Sequence, residues 1–243
     1  MSNQLYKNFP TIQYTLNTGK VVTIKDFFRK ASIEKSAIDS VIEYQYYEIL
    51  DGERPDIIAS KLYGDGDLHW TFFLVNDFDN YYDWHMDMET FTTYMADKYQ
   101  GQNLVATTTT DIVKTVDGVT TKFLLGETAT SNVGGKSVDI VDINPIHKRL
   151  SVIGDTLVAG EIVTGSSSGA SFTIASVTEH QDGVHHYVDS KTHMRTFGGD
   201  GWTPVTHFTE ETEVNEKKRL IKVIRPNRMR RVIREFERIM SDE

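Results

Sequence analysis

Between Asn103 and Val177 the chain reads NLVATTTTDIVKTVDGVTTKFLLGETATSNVGGKSVDIVDINPIHKRLSVIGDTLVAGEIVTGSSSGASFTIASV. No other feature restricts the fold as much. Thr and Val favour extended backbone, and turn residues recur at roughly the 8–12-residue spacing of short antiparallel strands. The spacing predicts a small antiparallel β barrel or sandwich over 103–178. Helical patterns stand on both sides of it, so it reads as an insertion. The expected class is α+β.

Four segments follow: an arm over 1–43, a helical unit over 44–102, the β module over 103–178, and a C-terminal segment over 179–243. In the arm, KVVTI at 20–24 suits a strand and Asp26 is placed to cap a short helix on FFRKA. In the second segment, YQYYEIL suits a strand and Asp51-Gly52 a turn. Pro55 fits the first position of a helix, and Gly64 its left-handed stop. Asp65 or Gly66 begins a second helix carrying Trp70, Phe73 and Leu74. A third helix, DMETFTTYMADKYQG, has Asp87 as its cap and Gly101 as its stop. Further on, EVNEKKRLIKVI suits a strand and Pro226 starts an amphipathic helix. In that helix Met229, Val232, Ile233, Phe236, Ile239 and Met240 make one apolar seam, flanked by Arg231, Arg234 and Arg238.

The 243 residues suffice for a substantial core. With no cysteine, disulfides, thiolate metal sites and cysteine nucleophiles are excluded. A net charge of −9 argues against bulk nucleic-acid binding. The N-terminus has no basic-then-apolar export pattern, and apolar runs such as FFLV fall far below the roughly 18 residues of a membrane span. Six acidic side chains lie within 77–97 and six arginines within 225–238, a polarity that suits either solvated faces or complementary docking.

Chemistry-bearing patterns are weak. His180, Asp182, His185, His186 and His193 crowd together, yet no two histidines have the i, i+4 helical spacing of a zincin, and ordinary hydrogen bonding in a strand or loop is the reading. DFDNYYDWHMD has tyrosines at the fifth and sixth positions of the calcium-loop pattern, where an Asp or Asn and then Gly belong. GSSSGAS lacks the Lys-Ser/Thr of a phosphate loop, and no G-x-S-x-G elbow occurs. The sequence assigns no catalytic residue, no metal and no cofactor.

Tyr47-Glu48-Ile49, Asp51-Gly52-Glu53, Ile57-Ile58-Ala59, Leu62-Tyr63-Gly64 and Asn76 resemble a LysM module, a βαα(β) unit. The longer stretch, with His69-Trp70 and the Tyr81-Tyr82-Asp83-Trp84 segment, resembles the baseplate wedge protein of T-even-like contractile-tailed phages, the gene product fifty-three family. YKNFPTIQY at 6–14 and EVNEKKRLIKVIRP at 213–226 are similar to its two ends. One departure is His85, where the family usually has Pro.

The LysM resemblance implies a groove bordered by Gly52, Glu53, Arg54, Asn76, Asp77 and Phe78, serving here as a partner contact. The family resemblance implies a structural, non-catalytic virion protein of the tail baseplate, present in several copies in a ring. It would clamp neighbouring wedge proteins and adjacent wedges, with the sheath initiator as a further partner, and would bind neither nucleic acid nor membrane. The C-terminal helix is then a docking element through Met229, Val232, Ile233, Phe236, Met240, Arg231, Arg234 and Arg238, whose removal would leave a folded chain. The alternative is a LysM module that binds peptidoglycan during tail penetration.

Overall fold

The computed structural model describes residues 9–26, 44–112, 115–116, 119–120, 122–196 and 201–241. The helix expected on FFRKA lies outside them. Contacts divide the chain into two units, Met1–Glu89 with Asn215–Glu243, and Thr90–Val214.

In the first unit, β1 (Thr11–Thr15) and β2 (Val21–Lys25) form an antiparallel hairpin with Thr11 opposite Lys25. β3 (Tyr44–Glu48) leads through the Asp51-Gly52 turn to α1 (Pro55–Tyr63), with Pro in its first turn as expected. Gly64 ends this helix at φ 74°, donating its N–H to the Ser60 carbonyl. The Asp65 carboxylate then accepts from the Asp67 N–H at 2.9 Å. This caps a 3-10 turn, Gly66–His69, that runs into α2 (Trp70–Asn76).

The partner of β3 comes from the far end of the chain. It is β16 (Leu220–Ile224), antiparallel, with Leu220 opposite Glu48 and Ile224 opposite Tyr44. The result is a βααβ arrangement whose second strand follows the whole of the second unit. Asn76 holds that strand in place. Its Nδ2 donates to the Phe72 carbonyl (2.8 Å) and the Lys222 carbonyl (2.9 Å), and its Oδ1 accepts from the Lys222 N–H at 2.8 Å. Ile49, Ile58, Ala59, Phe72, Ile221 and Val223 are fully enclosed between the pair of strands and the helices.

On the same core lies α6 (Met229–Ser241). Met229 is buried, and Val232 and Ile233 are half-buried against the core. Phe236 sits 4.4 Å from the Trp70 ring and 6.4 Å from Phe9. The apolar seam of the C-terminal helix is thus covered by its own chain from Met229 to Phe236. The helix begins at Met229, after a turn at 226–228, rather than at Pro226.

The strand expected over 213–224 is shorter than its apolar pattern implied. Residues 213–217 belong to α5 (His207–Lys217), because Glu and Lys are helix formers and apolar residues take over only at Leu220. Asn215 in this helix acts much as Asn76 does. Its carboxamide accepts from the Met86 N–H and donates to the Met86 carbonyl, both at 2.9 Å.

In the second unit, most of α3 (Met88–Lys98) precedes Gly101 at φ 85°, where a Cβ would lie 1.9 Å from the Val152 carbonyl oxygen. Only glycine fits there. A seven-stranded antiparallel sheet follows, in the order β11 (Ser171–Thr173), β10 (Ile162–Gly165), β7 (Thr128–Ser131), β8 (Ser137–Asn144), β9 (Arg149–Gly154), β4 (Gln102–Val105), β12 (Ser176–Glu179). The two ends of this order, β11 and β12, are separated by only residues 174–175. The Ile174 N–H bonds Glu161 and the Ala175 N–H bonds Val105. One stretch of chain therefore borders both ends, and the sheet curls on itself. Between β4 and β7 the chain forms α4 (Thr109–Ile112) and the short antiparallel pair β5 (Thr115–Val116) and β6 (Val119–Thr120). Leu104, Ile112, Phe123, Ile140, Leu150, Val152, Val163 and Phe172 fill the inside of the curled sheet. The expected α+β class, with a small antiparallel β module, is what forms.

Beside that sheet, β13 (Val184–Asp189) pairs with β14 (Arg195–Thr196) and β15 (Trp202–Thr206), and β15 runs directly into α5.

Candidate functional site

The two loops marked as a groove, 52–54 and 76–78, come together around Trp84. This side chain is 3% exposed. Its Nε1–H donates to the Glu53 carbonyl at 3.1 Å, its ring stacks on Phe73 at 6.0 Å, and the Phe78 ring meets it edge-on at 6.4 Å. Trp84 was read only as part of a motif, and it is the joint of the site.

The polar groups there are already engaged. The Glu53 carboxylate accepts from the Tyr47 hydroxyl and the Leu50 N–H, each at 3.0 Å, and pairs with Lys61. Burial alone would raise its pKa, but the Lys61 ammonium, the Leu50 N–H and the Tyr47 hydroxyl outweigh that and hold it below the usual carboxylate range. Asn76 is consumed by β16. Arg54, exposed, pairs with Asp56 at 3.0 Å. Gly52 is exposed at φ 74°, Asp77 ends α2 at φ 55°, and Phe78 is half-buried.

What faces outward is different. Tyr81 and Tyr82 are 62% and 63% exposed, with rings 6.3 Å apart. A capping box fixes the turn that carries them: the Asn80 Oδ1 accepts from the Tyr82 N–H, and the Asp83 carboxylate accepts from the Asn80 N–H. Lys218 donates to the Tyr82 carbonyl at 2.6 Å. Tyr46 and Leu220 are also exposed, and the register places them on one face of the β3/β16 pair. On α6 the outer face carries Arg230, Arg231, Arg234 and Arg238, the last paired with Glu235. Nothing is described of the Met240 side chain. His85, at the departure from the family pattern, is buried 3.7 Å from Glu216. Burial and then Arg219 depress its pKa.

A second polar assembly lies in the other unit. Buried Arg149 donates to the Val184 carbonyl at 2.9 Å and to His207 Nε2 at 3.3 Å. Burial first, and then the Arg149 guanidinium, push the His207 pKa from 6.5 to about 3. As pH falls, the unfolded chain therefore takes up this proton before the folded one. The stability that His207 confers is complete above pH 6.5 and is lost progressively towards pH 3. Urea unfolding at pH 5 should show the second unit weaker than at pH 7.5, by about 1 kcal/mol once solvent screening of the half-buried ring is allowed for. In His207→Gln the difference should shrink; an unchanged difference would clear His207 of the effect.

A family model described as base plate wedge protein 53 matches residues 4–124. The chain belongs to the base plate wedge protein 53 family. None of the curated proteins compared with it matches. The match takes in β3, α1, α2, Trp84 and α3, so every residue of the two-loop site falls inside it. Base plate wedge protein 53 is a phage structural protein, and membership places this chain in the virion, at the tail baseplate, among other baseplate proteins. Among the described residues no helix is long and apolar enough to cross a membrane.

Proposed function

We propose that this wedge protein works as a non-catalytic fastener, its two units gripping different neighbours so that adjacent wedges are clamped into a ring. The observation that carries the reading is the division of the chain into two units with separate cores, with the chain passing between them twice. Two units, each with its own core and joined by two crossings of the chain, resist being pulled apart, as a clamp between neighbours must. The first unit is a LysM-like βααβ fold turned from reading glycans to holding protein. Its groove-lining Glu53 and Asn76 are spent on internal bonds, whereas Tyr81, Tyr82, Tyr46 and Leu220 stay exposed on ordered backbone. Exposed, pre-ordered tyrosines supply contact area at low entropic cost. The outer arginines of α6 set register against acidic partner surfaces, since rim charges govern specificity and on-rate more than affinity. Glycan binding during penetration is the weaker reading, because a sugar needs uncommitted polar groups.

Assembly of purified wedge components tests this. The double variant Tyr81→Ala/Tyr82→Ala should melt like wild type but associate with neighbouring wedges at least about tenfold more weakly. Full incorporation of the variant would refute the tyrosine contact. Saturable binding of chitin or muropeptide oligomers at the two-loop site would favour the glycan reading.

A further inference from the structure

Four of the eight histidines form a chain of ring contacts in the second unit. His180 lies 5.8 Å from His207, His207 lies 5.2 Å from His185, and His185 lies 5.2 Å from His186. Neighbouring residues on a regular strand point to opposite faces, so His185 and His186 should be separated. A β-bulge brings them together. Val184 pairs with Thr206 and His186 with Val205, which leaves His185 as the extra residue. The bulge re-aims its ring, and the two Nδ1 atoms stand 2.9 Å apart. β15 passes directly into α5, whose first turn brings the Glu210 carboxylate to the same place. One ligand atom from each of His185, His186 and Glu210 lies within 4.8 Å of the others.

We propose that His185, His186 and Glu210 bind one borderline divalent cation, with Zn2+ as the best-matched ion. Two imidazole nitrogens, each about 2.0–2.1 Å from zinc, sit roughly 3 Å from one another, which is the separation found here. Two nitrogens and one carboxylate oxygen suit zinc and its neighbours in the transition series rather than Mg2+ or Ca2+, which take oxygen. His186 is buried and fixed, while His185 is exposed and gives the ion access. Arg195 now balances Glu210 at 3.0 Å, and its guanidinium, 55% exposed, turns into solvent when the cation takes over that role. The bound ion ties the bulge of β13 to the start of α5, and the open coordination position faces outward for water or for a side chain of a neighbouring subunit.

The test uses the full chain without a histidine tag, stripped with EDTA and titrated with Zn2+ by calorimetry. One equivalent should bind in the micromolar range or tighter, and Mg2+ should give no comparable binding. Zn2+ should raise the Tm of the wild type by about 5 °C at saturation. His185→Ala and Glu210→Gln, both with unchanged circular dichroism, should bind at least about tenfold more weakly and lose the Tm rise. Failure of Zn2+ to bind at about 1 mM, equal binding by wild type and both variants, or equal binding of Mg2+ would each overturn the proposal.

Discussion

Deleting residues 226–243 should unfold the first unit while leaving the second unit's own transition in place. Sequence alone suggested the opposite, a folded chain that merely fails to dock. The difference lies in where the seam of α6 goes. Met229 and Phe236 are 3% and 7% exposed, Val232 and Ile233 are packed against the βααβ core, and Trp70 depends on Phe236 for its cover. At about 1.5–3 kcal/mol per buried side chain, with the two half-buried ones counted low, the loss is roughly 5–10 kcal/mol. A domain of this size has about 5–15 kcal/mol in total. Hydrogen exchange on the full and shortened chains should therefore show collapse of protection across β3, α1 and α2, with the curled sheet unaffected. Unchanged protection in β3 would mean that α6 is not part of the fold.

The second large effect is expected at Trp84. Its ring lies within about 6.5 Å of Phe72, Phe73 and Phe78, and its indole N–H holds the Glu53 carbonyl. Trp84→Ala should cost about 3–5 kcal/mol, the usual loss for a large aromatic truncated in a core. Trp84→Phe keeps most of the packing and should lose only the hydrogen bond and part of the area, on the order of 1–2 kcal/mol. Urea denaturation of both variants separates the two contributions. A cost near 1 kcal/mol for Trp84→Ala would show that the loops at 52–54 and 76–78 are held by something else.

The signals legible in the sequence were those that act within a turn or two. Pro55, Gly64 and Asp65 mark element ends through their own backbone preferences, and each does so in the structure. Gly101, expected to stop α3, instead takes its left-handed φ three residues after that helix ends, at the entry to β4. The Thr- and Val-rich stretch announced its strands for the same local reason. Long-range pairing was not legible. The strand that completes the βααβ unit is β16, and nothing near Leu220 says that its partner is Glu48. Asn76 was placed in a groove by resemblance, whereas its carboxamide is the clamp that seats β16, a role set by Lys222 far along the chain. The apolar seam of α6 declared that something must cover it without declaring what. The same holds for the histidines. The sequence shows no two of them at i, i+4 spacing on a helix, and nothing in it says that a bulge abolishes the strand alternation at His185 or that Glu210 arrives beside them from another element.

The most direct test of the two-handed reading is cross-linking mass spectrometry on intact virions. Lysines of the first unit, such as Lys20 and Lys61, should link to one neighbouring subunit, and lysines of the second unit, such as Lys136 and Lys191, to a different one. If links from both units fall on a single neighbour, or if only one unit forms any intermolecular link, the chain does not bridge its surroundings and the clamp account is contradicted.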